Sequence, residues 1–468
     1  MFFDLKRTPA HRILLESKQI ARMALPMMIA QFAQVATGFV DTVMSGHVGT
    51  DDLAAVSLGS SIFITCYVTL LGLVTALNPT LSHLIGAGKT EKIGETARQG
   101  LWFGLIVGVL GMLLMLGLEP VLRPLIDLPP SVVDKTILFI SGAALAMPAA
   151  MMHRALHALA SSLNRPRAIM LMSLAALALN IPLNYILIHG LYGMPRMGGA
   201  GCGWATAAAF WFNCSALFCY IGFNRFFAPY GLLQRMSWPD WRAHRALFTL
   251  GLPIALSFFV EISLFSFIAL LVARLGTVIV ASHQAVLSFS SMIYMVPQSI
   301  STALSVRVGH CVGARDFHGA RLASGVGLLL GLGCATAVML LTLTLRTDIM
   351  RLYTNDPLLI HLGASLLIFA AIYQLADATQ TIASGALRGY KLTTLPMAIH
   401  ITAFWVIGLG LGITLGLTDW LTPAPMGIYG FWSALVISLT LAAILLVRYL
   451  STQSRLRIQP IFEKELIT

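Results

Sequence analysis

The chain has 468 residues, of which 57% are hydrophobic and only 10% charged, with a formal net charge of +11 and a mean hydropathy of +0.82. Soluble domains carry about 25% charged residues, so this composition excludes an ordinary water-soluble globular protein. The basic excess lies in short loops, the pattern of a membrane protein facing anionic headgroups, which argues against nucleic-acid binding.

In chain order, apolar stretches long enough to cross a bilayer recur at about residues 20–44, 53–82, 98–118, 136–160, 167–190, 200–223, 246–273, 279–306, 320–345, 358–384, 394–417 and 425–449. Their alternation is too weak for lipid-facing barrel strands, so they predict an all-α polytopic membrane protein of about twelve transmembrane helices. The first stretch follows the charged start MFFDLKRTPAHR and lacks a small-residue cleavage site, which predicts a retained helix. With both termini placed in the cytoplasm, the inner side receives most of the Lys and Arg, among them Lys6, Arg7, Lys89, Arg165, Arg235, Arg315, Lys391 and Lys464. The outer side keeps Arg123, Lys135, Arg196, Arg274, Arg346 and Arg351, in accord with the positive-inside rule. The expected location is the cell (inner or plasma) membrane, multi-pass, with membrane lipid as a partner.

Three carboxylates, Asp41, Glu261 and Asp377, fall inside these apolar stretches. Charge in hydrocarbon is costly unless it is neutralised, paired with a cation or turned to a wet cavity, so each is a functional candidate. In the first helix Gln31, Gln34, Thr37 and Asp41 share one face at three- and four-residue spacing. In the fourth, His153, Arg154 and His157 read as snorkelling or interhelical contacts. In the fifth, Asn180 and Asn184 flank Pro182 one turn apart. With Asp41 and Thr206 they offer the oxygen ligands of a monovalent-cation pocket; an interhelical amide hydrogen bond is the equal alternative. Gln34 and Ser61 join this first-half candidate set.

The seventh helix carries Ser257 and Glu261 one turn apart, and the eighth Gln284, Ser288, Ser291 and Tyr294. The tenth begins after Asp356, at a cavity mouth or in an ordinary loop, and carries Tyr373, Gln374, Asp377, Gln380 and Ser384. If Glu261 and Asp377 converge, both cannot ionise cheaply in low dielectric; one holds a proton or a cation bridges them. Candidate coupling residues are therefore Glu261, Asp377, Tyr373, Gln284 and Tyr294, with monovalent Na+ at the two acids as the one metal expected. Six cysteines lie in or beside apolar helices without CxxC spacing and read as small buried hydrophobes. No HExxH or GxSxG motif suggests an enzyme.

The sequence is a duplication. Leu25-Pro26 recurs as Leu252-Pro253, an offset of 252 − 25 = 227, and the same offset carries Gly49-Thr50 to Gly276-Thr277 and Gly86-Ala87 to Gly313-Ala314. Later, LASSLN (159–164) resembles IASGAL (382–387) and GAGCGW (199–204) resembles IYGFWS (428–433), which reads as a slight slip of register. This predicts a six-helix bundle at 1–223, a cytoplasmic linker at 224–245 and a second six-helix bundle at 246–468. Two pseudo-symmetric bundles around a central cavity, rocking for alternating access, are the expected architecture.

The segment AQFAQVATGFVDTVMSGHVGTDDLAAVSLG (30–59) resembles the first two helices of the NorM branch of the multidrug and toxic compound extrusion (MATE) transporters. ASSLNRPR (160–167), NIPLNYILIHG (180–190), MGGAGCGWATA (197–207) and ASGALRGYK (383–391) are similar to that branch too. The resemblance spans about residues 15–450 and implies the MATE fold. It also implies a Na+- or H+-coupled antiporter, with no other cofactor, that exports lipophilic organic cations such as dyes and cationic drugs and works as a monomer. It assigns cation coupling to Glu261, Asp377 and Tyr373, and substrate or cation binding to Asp41 and Asp356, with Asn180 and Asn184 in a first-half site. A flippase for lipid-linked oligosaccharides, from the same superfamily, is the alternative.

Overall fold

The computed structural model describes residues 8–125, 129–232 and 237–458. Among them are twelve helices long and apolar enough to cross a membrane, and no strand. They are α1 (Ala10–Gly46), α2 (Thr50–Gly86), α3 (Thr90–Leu116), α4 (Pro130–Ser162), α5 (Pro166–His189), α6 (Gly198–Phe223), α7 (Trp241–Leu275), α8 (Thr277–Gly313), α9 (Phe317–Arg351), α10 (Pro357–Gly389), α11 (Thr394–Leu417) and α12 (Ile428–Leu456). Each predicted stretch has its helix, usually longer than the apolar window, because polar end turns continue the backbone ladder past the hydrocarbon-like segment. Lys6, Arg7, Arg235 and Lys464, and both termini, lie outside the described residues.

The chain forms two compact units. One runs Leu25–Ala255; the other joins the chain up to Ala24 to the chain from Leu256 onward. The two changeovers lie beside Pro26 in α1 and Pro253 in α7. Proline inside a helix withdraws one donor, here leaving the carbonyls of Arg22 and Thr249 without their helical partner, so the chain can change direction at matched points of the repeat.

In the 25–255 unit small residues set the spacing. A Cβ added at Gly104 would sit 2.7 Å from the Met151 carbonyl oxygen, and one at Gly108 2.5 Å from Pro148 Cα, so α3 seats directly on α4. Helix α4 is interrupted at Leu145, where Pro148 deprives the Ala144 carbonyl of its donor. Lys135 pairs with Asp52 at 2.6 Å, and Asp52 also accepts from the Gly199 amide at 2.7 Å. In the other unit Arg307 grips Glu16 through two hydrogen bonds of 2.5 and 2.9 Å, fixing the start of α1 to α8. Its core centres on fully buried Trp432, 5.9 Å from the Tyr373 ring and 5.8 Å from that of His283. Residues Ile401–Leu409 of α11 form a π-helix, a geometry rare at that length.

The structure corrects one reading of the repeat. At the ends of α4 and α10 the capping bonds match at the original offset. Leu163 N to Leu159 O corresponds to Tyr390 N to Ala386 O, and Arg165 N to Ala160 O corresponds to Leu392 N to Leu387 O. The left-handed residues Asn164 (φ 58°) and Lys391 (φ 59°) are likewise 391 − 164 = 227 apart. The likeness of LASSLN to IASGAL is therefore not structural equivalence. It compares two runs of small residues one turn out of step, which helices tolerate because both present similar surfaces. The later slip is present: Gly198 (φ 60°) and Gly427 (φ 57°) are 427 − 198 = 229 apart.

Gly108→Val forces the α3–α4 contact apart, and overpacking of this kind costs about 1–3 kcal/mol. The purified variant melts several degrees below wild type, whereas Gly333→Ala, with no atom within 4 Å of the new methyl, does not. Equal melting of Gly108→Val and wild type contradicts the close helix packing.

Candidate functional site: two buried acid clusters

The first cluster belongs to the 25–255 unit. Asp41 is 3% exposed in α1, and Asn180 and Asn184 are fully buried on α5. The Asn184 amide donates to Asp41 Oδ1 at 2.6 Å and to Asn180 Oδ1 at 3.0 Å, and the Thr206 hydroxyl of α6 donates to Asp41 Oδ2 at 2.8 Å. All four predicted residues thus meet. Both Asp41 oxygens are engaged by protein donors, as in the interhelical hydrogen-bond reading. Asn184 Oδ1 keeps no partner, and the Asn180 amide approaches Asp41 without completing a well-aligned hydrogen bond. A cation entering here would turn those amides and take oxygen ligands from Asp41, Asn180, Asn184 and Thr206.

The shared face of α1 divides. Thr37 bonds back to the Ala33 carbonyl, and Gln34 meets the Tyr67 hydroxyl of α2, not Asp41. Ser61 is exposed and bonds back to Ser57 O at 2.9 Å, so it does not join the cluster.

The second cluster lies in the other unit. Asp377, 6% exposed in α10, accepts from Gln380 Nε2 at 3.0 Å. Glu261 of α7 lies close enough to Asp377 for their charges to act on one another, with Tyr294 of α8 and Gln380 as its side-chain hydrogen-bond partners. Gln380 Nε2 also reaches Thr381 Oγ1 at 3.0 Å, and Gln380 Oε1 is 3.0 Å from His400 Nε2, one residue before the π-helical stretch. The Tyr373 hydroxyl lies by Ser290, within electrostatic range of both acids. A cavity of about 20 Å³ opens beside Asp377, lined also by Gln374, Tyr294 and Ser290, and it has room for one water-sized solute. Neither polar atom of the buried Gln374 amide has a partner. Carboxylate, amide and phenolic oxygens facing one small cavity make a donor set for a hard monovalent cation.

Gln284 of the coupling set and Asp356 of the substrate set both lie away from this cluster. Gln284 is exposed, ten residues or about 15 Å of helix from Tyr294. Asp356 caps α10, accepting from the Leu358 amide at 2.9 Å, and stands about 30 Å of helix from Asp377. Sequence reasoning missed His400, whose part depends on which face of α11 meets α10; no local spacing carries that information.

The MatE family model matches the chain twice, over residues 26–186 and 253–414, with starts 253 − 26 = 227 apart. The chain belongs to the MATE family. It is 65% identical over 458 residues to a probable multidrug resistance protein NorM of Chromobacterium violaceum, covering 98% of each chain. It is 42% identical over 445 residues to the multidrug resistance protein PmpM of Pseudomonas aeruginosa, covering 95% of this chain and 93% of that one. Among solved structures, the MATE transporter NorM-NG in complex with rhodamine 6G and a monobody is 45% identical, with a TM-score of 0.79 and coverage of 93% and 94%. The eukaryotic MATE transporter AtDTX14, at 20% identity and a TM-score of 0.84, shares the fold. The chain is thus a NorM-branch MATE protein, a multi-pass secondary transporter and not an enzyme.

The donor bonds to Asp41 give a test. Thr206→Val removes a charge-assisted hydrogen bond at nearly constant volume and is expected to cost about 1–3 kcal/mol. On an Asp41→Asn background the same change costs clearly less. Equal costs on both backgrounds, read from thermal melts, contradict the pairing.

Proposed function

We propose that this MATE protein is a multidrug efflux antiporter. It exports lipophilic organic cations in exchange for Na+ or H+ by alternating access, from the inner membrane with both termini in the cytoplasm. The observation that carries the reading is the Glu261–Asp377 cluster: two acids joined through Gln380, with Asp377 and Tyr294 lining a cavity with room for one water-sized solute. The substrate class rests on the family's named multidrug resistance relatives and on NorM-NG, solved with rhodamine 6G. The orientation rests on the Lys and Arg bias of the loops. The same relatives give no support to a lipid-linked oligosaccharide flippase.

In this mechanism the two acids take the coupling cation or a proton from outside and release it inside. The bound ion and the drug favour opposite facing states by differential affinity. Asp41 attracts the cationic drug or a second ion within its own helix cluster. Exchange of one cation for one monovalent drug is electroneutral, so only the ion gradient drives it, at about 1.4 kcal/mol per tenfold. A second ion per cycle adds a voltage contribution of about 2.3 kcal/mol per 100 mV.

The test is uptake of rhodamine 6G into inverted vesicles, driven first by an imposed Na+ gradient and then by a pH gradient. Glu261→Gln and Asp377→Asn are expected to abolish gradient-driven uptake while leaving passive binding of the dye. Wild-type transport rates in both variants overturn the coupling assignment; no uptake by wild type under either gradient overturns the antiport reading.

A further inference from the structure

The duplication gives each residue of the second acid cluster a counterpart in the other unit, and there both acids, which in their own unit also feel the Arg388 guanidinium, are replaced by uncharged residues. At the offset of 227, Glu261, Tyr294 and Thr381 correspond to Gln34, Tyr67 and Arg154, while Asp377 and Gln380 correspond to Ala150 and His153. The contacts confirm the equivalence. Tyr294 hydrogen-bonds Glu261 and Thr381; Tyr67 hydrogen-bonds Gln34 and lies within electrostatic range of Arg154. One scaffold position thus holds two acids in one unit; in the other it holds no acid and a guanidinium.

Among the described residues Arg154 has no anionic partner. The group of opposite polarity that acts on it is the neutral Tyr67 hydroxyl, and its other charged or titratable neighbours, His153 and His157, are bases. Arg154 Nε is buried without a hydrogen-bond partner, as are His153 Nε2 and His157 Nδ1, on side chains 3% and 5% exposed. Snorkelling does not relieve this charge. Arg154 sits eight residues, about 12 Å, inside the end of α4, within electrostatic range of Tyr67 near the middle of α2. An unpaired cation at that depth is expensive, and a guanidinium offers five donors. Gln34, Tyr67 and Arg154 are each only partly buried.

We infer that Gln34, Tyr67 and Arg154 form an anion site: a receptor for a monovalent anion, either free halide or the carboxylate of a zwitterionic substrate. The guanidinium supplies the charge, and the Tyr67 hydroxyl, the Gln34 amide and the His153 ring supply further donors. The repeat thus places a cation receptor in one unit and an anion receptor at the matching position of the other. The site does not depend on the coupling-ion assignment.

The experiment uses the purified full-length protein. Saturable binding of radiolabelled chloride is measured, and so is the affinity for a pair of lipophilic cations that differ as free carboxylate and methyl ester. If the anion is free halide, wild type binds chloride, Arg154→Met weakens it by about tenfold or more, and Arg154→Lys retains partial binding. If the anion is the substrate's carboxylate, Arg154→Met weakens the acid by that factor and leaves the ester unchanged. Arg351→Met, which removes an exposed cation of α9, changes neither. Tyr67→Phe, which removes one donor with little change of volume, weakens the same ligand several-fold and serves if Arg154→Met does not fold. The proposal is overturned if wild type neither binds chloride saturably nor prefers acid over ester. It is equally overturned if Arg154→Met, or Tyr67→Phe in its place, matches wild type in both measurements.

Discussion

Charge inside an apolar helix bundle must find compensation, and the compensation here organises the interior of each unit. Asp41 draws donors from α5 and α6, joining three helices at one carboxylate. Asp377 and Glu261 share the Gln380 amide, whose carbonyl oxygen continues to His400 at the mouth of the π-helical stretch of α11. Helices meet at these points because an unpartnered acid in low dielectric costs more than the ordering needed to pair it. The pairs that remain incomplete, around Gln374, Asn180 and Asn184, are where a solute can bind.

Duplication supplied one scaffold twice, and the two copies diverged in opposite senses. The Glu261–Asp377 position became Gln34 and Ala150. Conversely Asp41 corresponds to Ile268, and at the later offset of 229 Thr206 corresponds to Leu435, both fully buried and apolar. Each unit therefore keeps acid at one position and surrenders it at the other. The backbone tolerates this because the matched prolines, Pro26 and Pro253, and the matched left-handed caps fix the helices independently of the polar residues between them.

Much of this was legible in one dimension, for physical reasons. Twelve spans are visible because bilayer thickness fixes their length. Asp41, Glu261 and Asp377 are visible because their cost is local to the sequence, and Asn180 with Asn184 because four-residue spacing places them on one helix face. Gln284 and Ser61 stand apart from the two clusters because helical spacing says which residues share a face, not what that face meets. Asp356 carried its own explanation: Asp before Pro357 is a helix-start signature, and the side chain does cap α10. His400 and Arg154 depend on contacts between helices distant in sequence. Helical spacing already singles out Gln34, but only the repeat offset, applied to Glu261 and Tyr294, joins it to Tyr67.

The central claim is that Glu261 and Asp377 share one proton or one cation. Infrared difference spectroscopy of the purified protein, on addition of Na+ and separately on raising the pH, tests it directly. The account predicts that a protonated-carboxyl band is lost in wild type under at least one of the two, and that the change is absent from the Glu261→Gln/Asp377→Asn double variant. A wild-type spectrum with no carboxyl change under either, or the same change in the double variant, would contradict it.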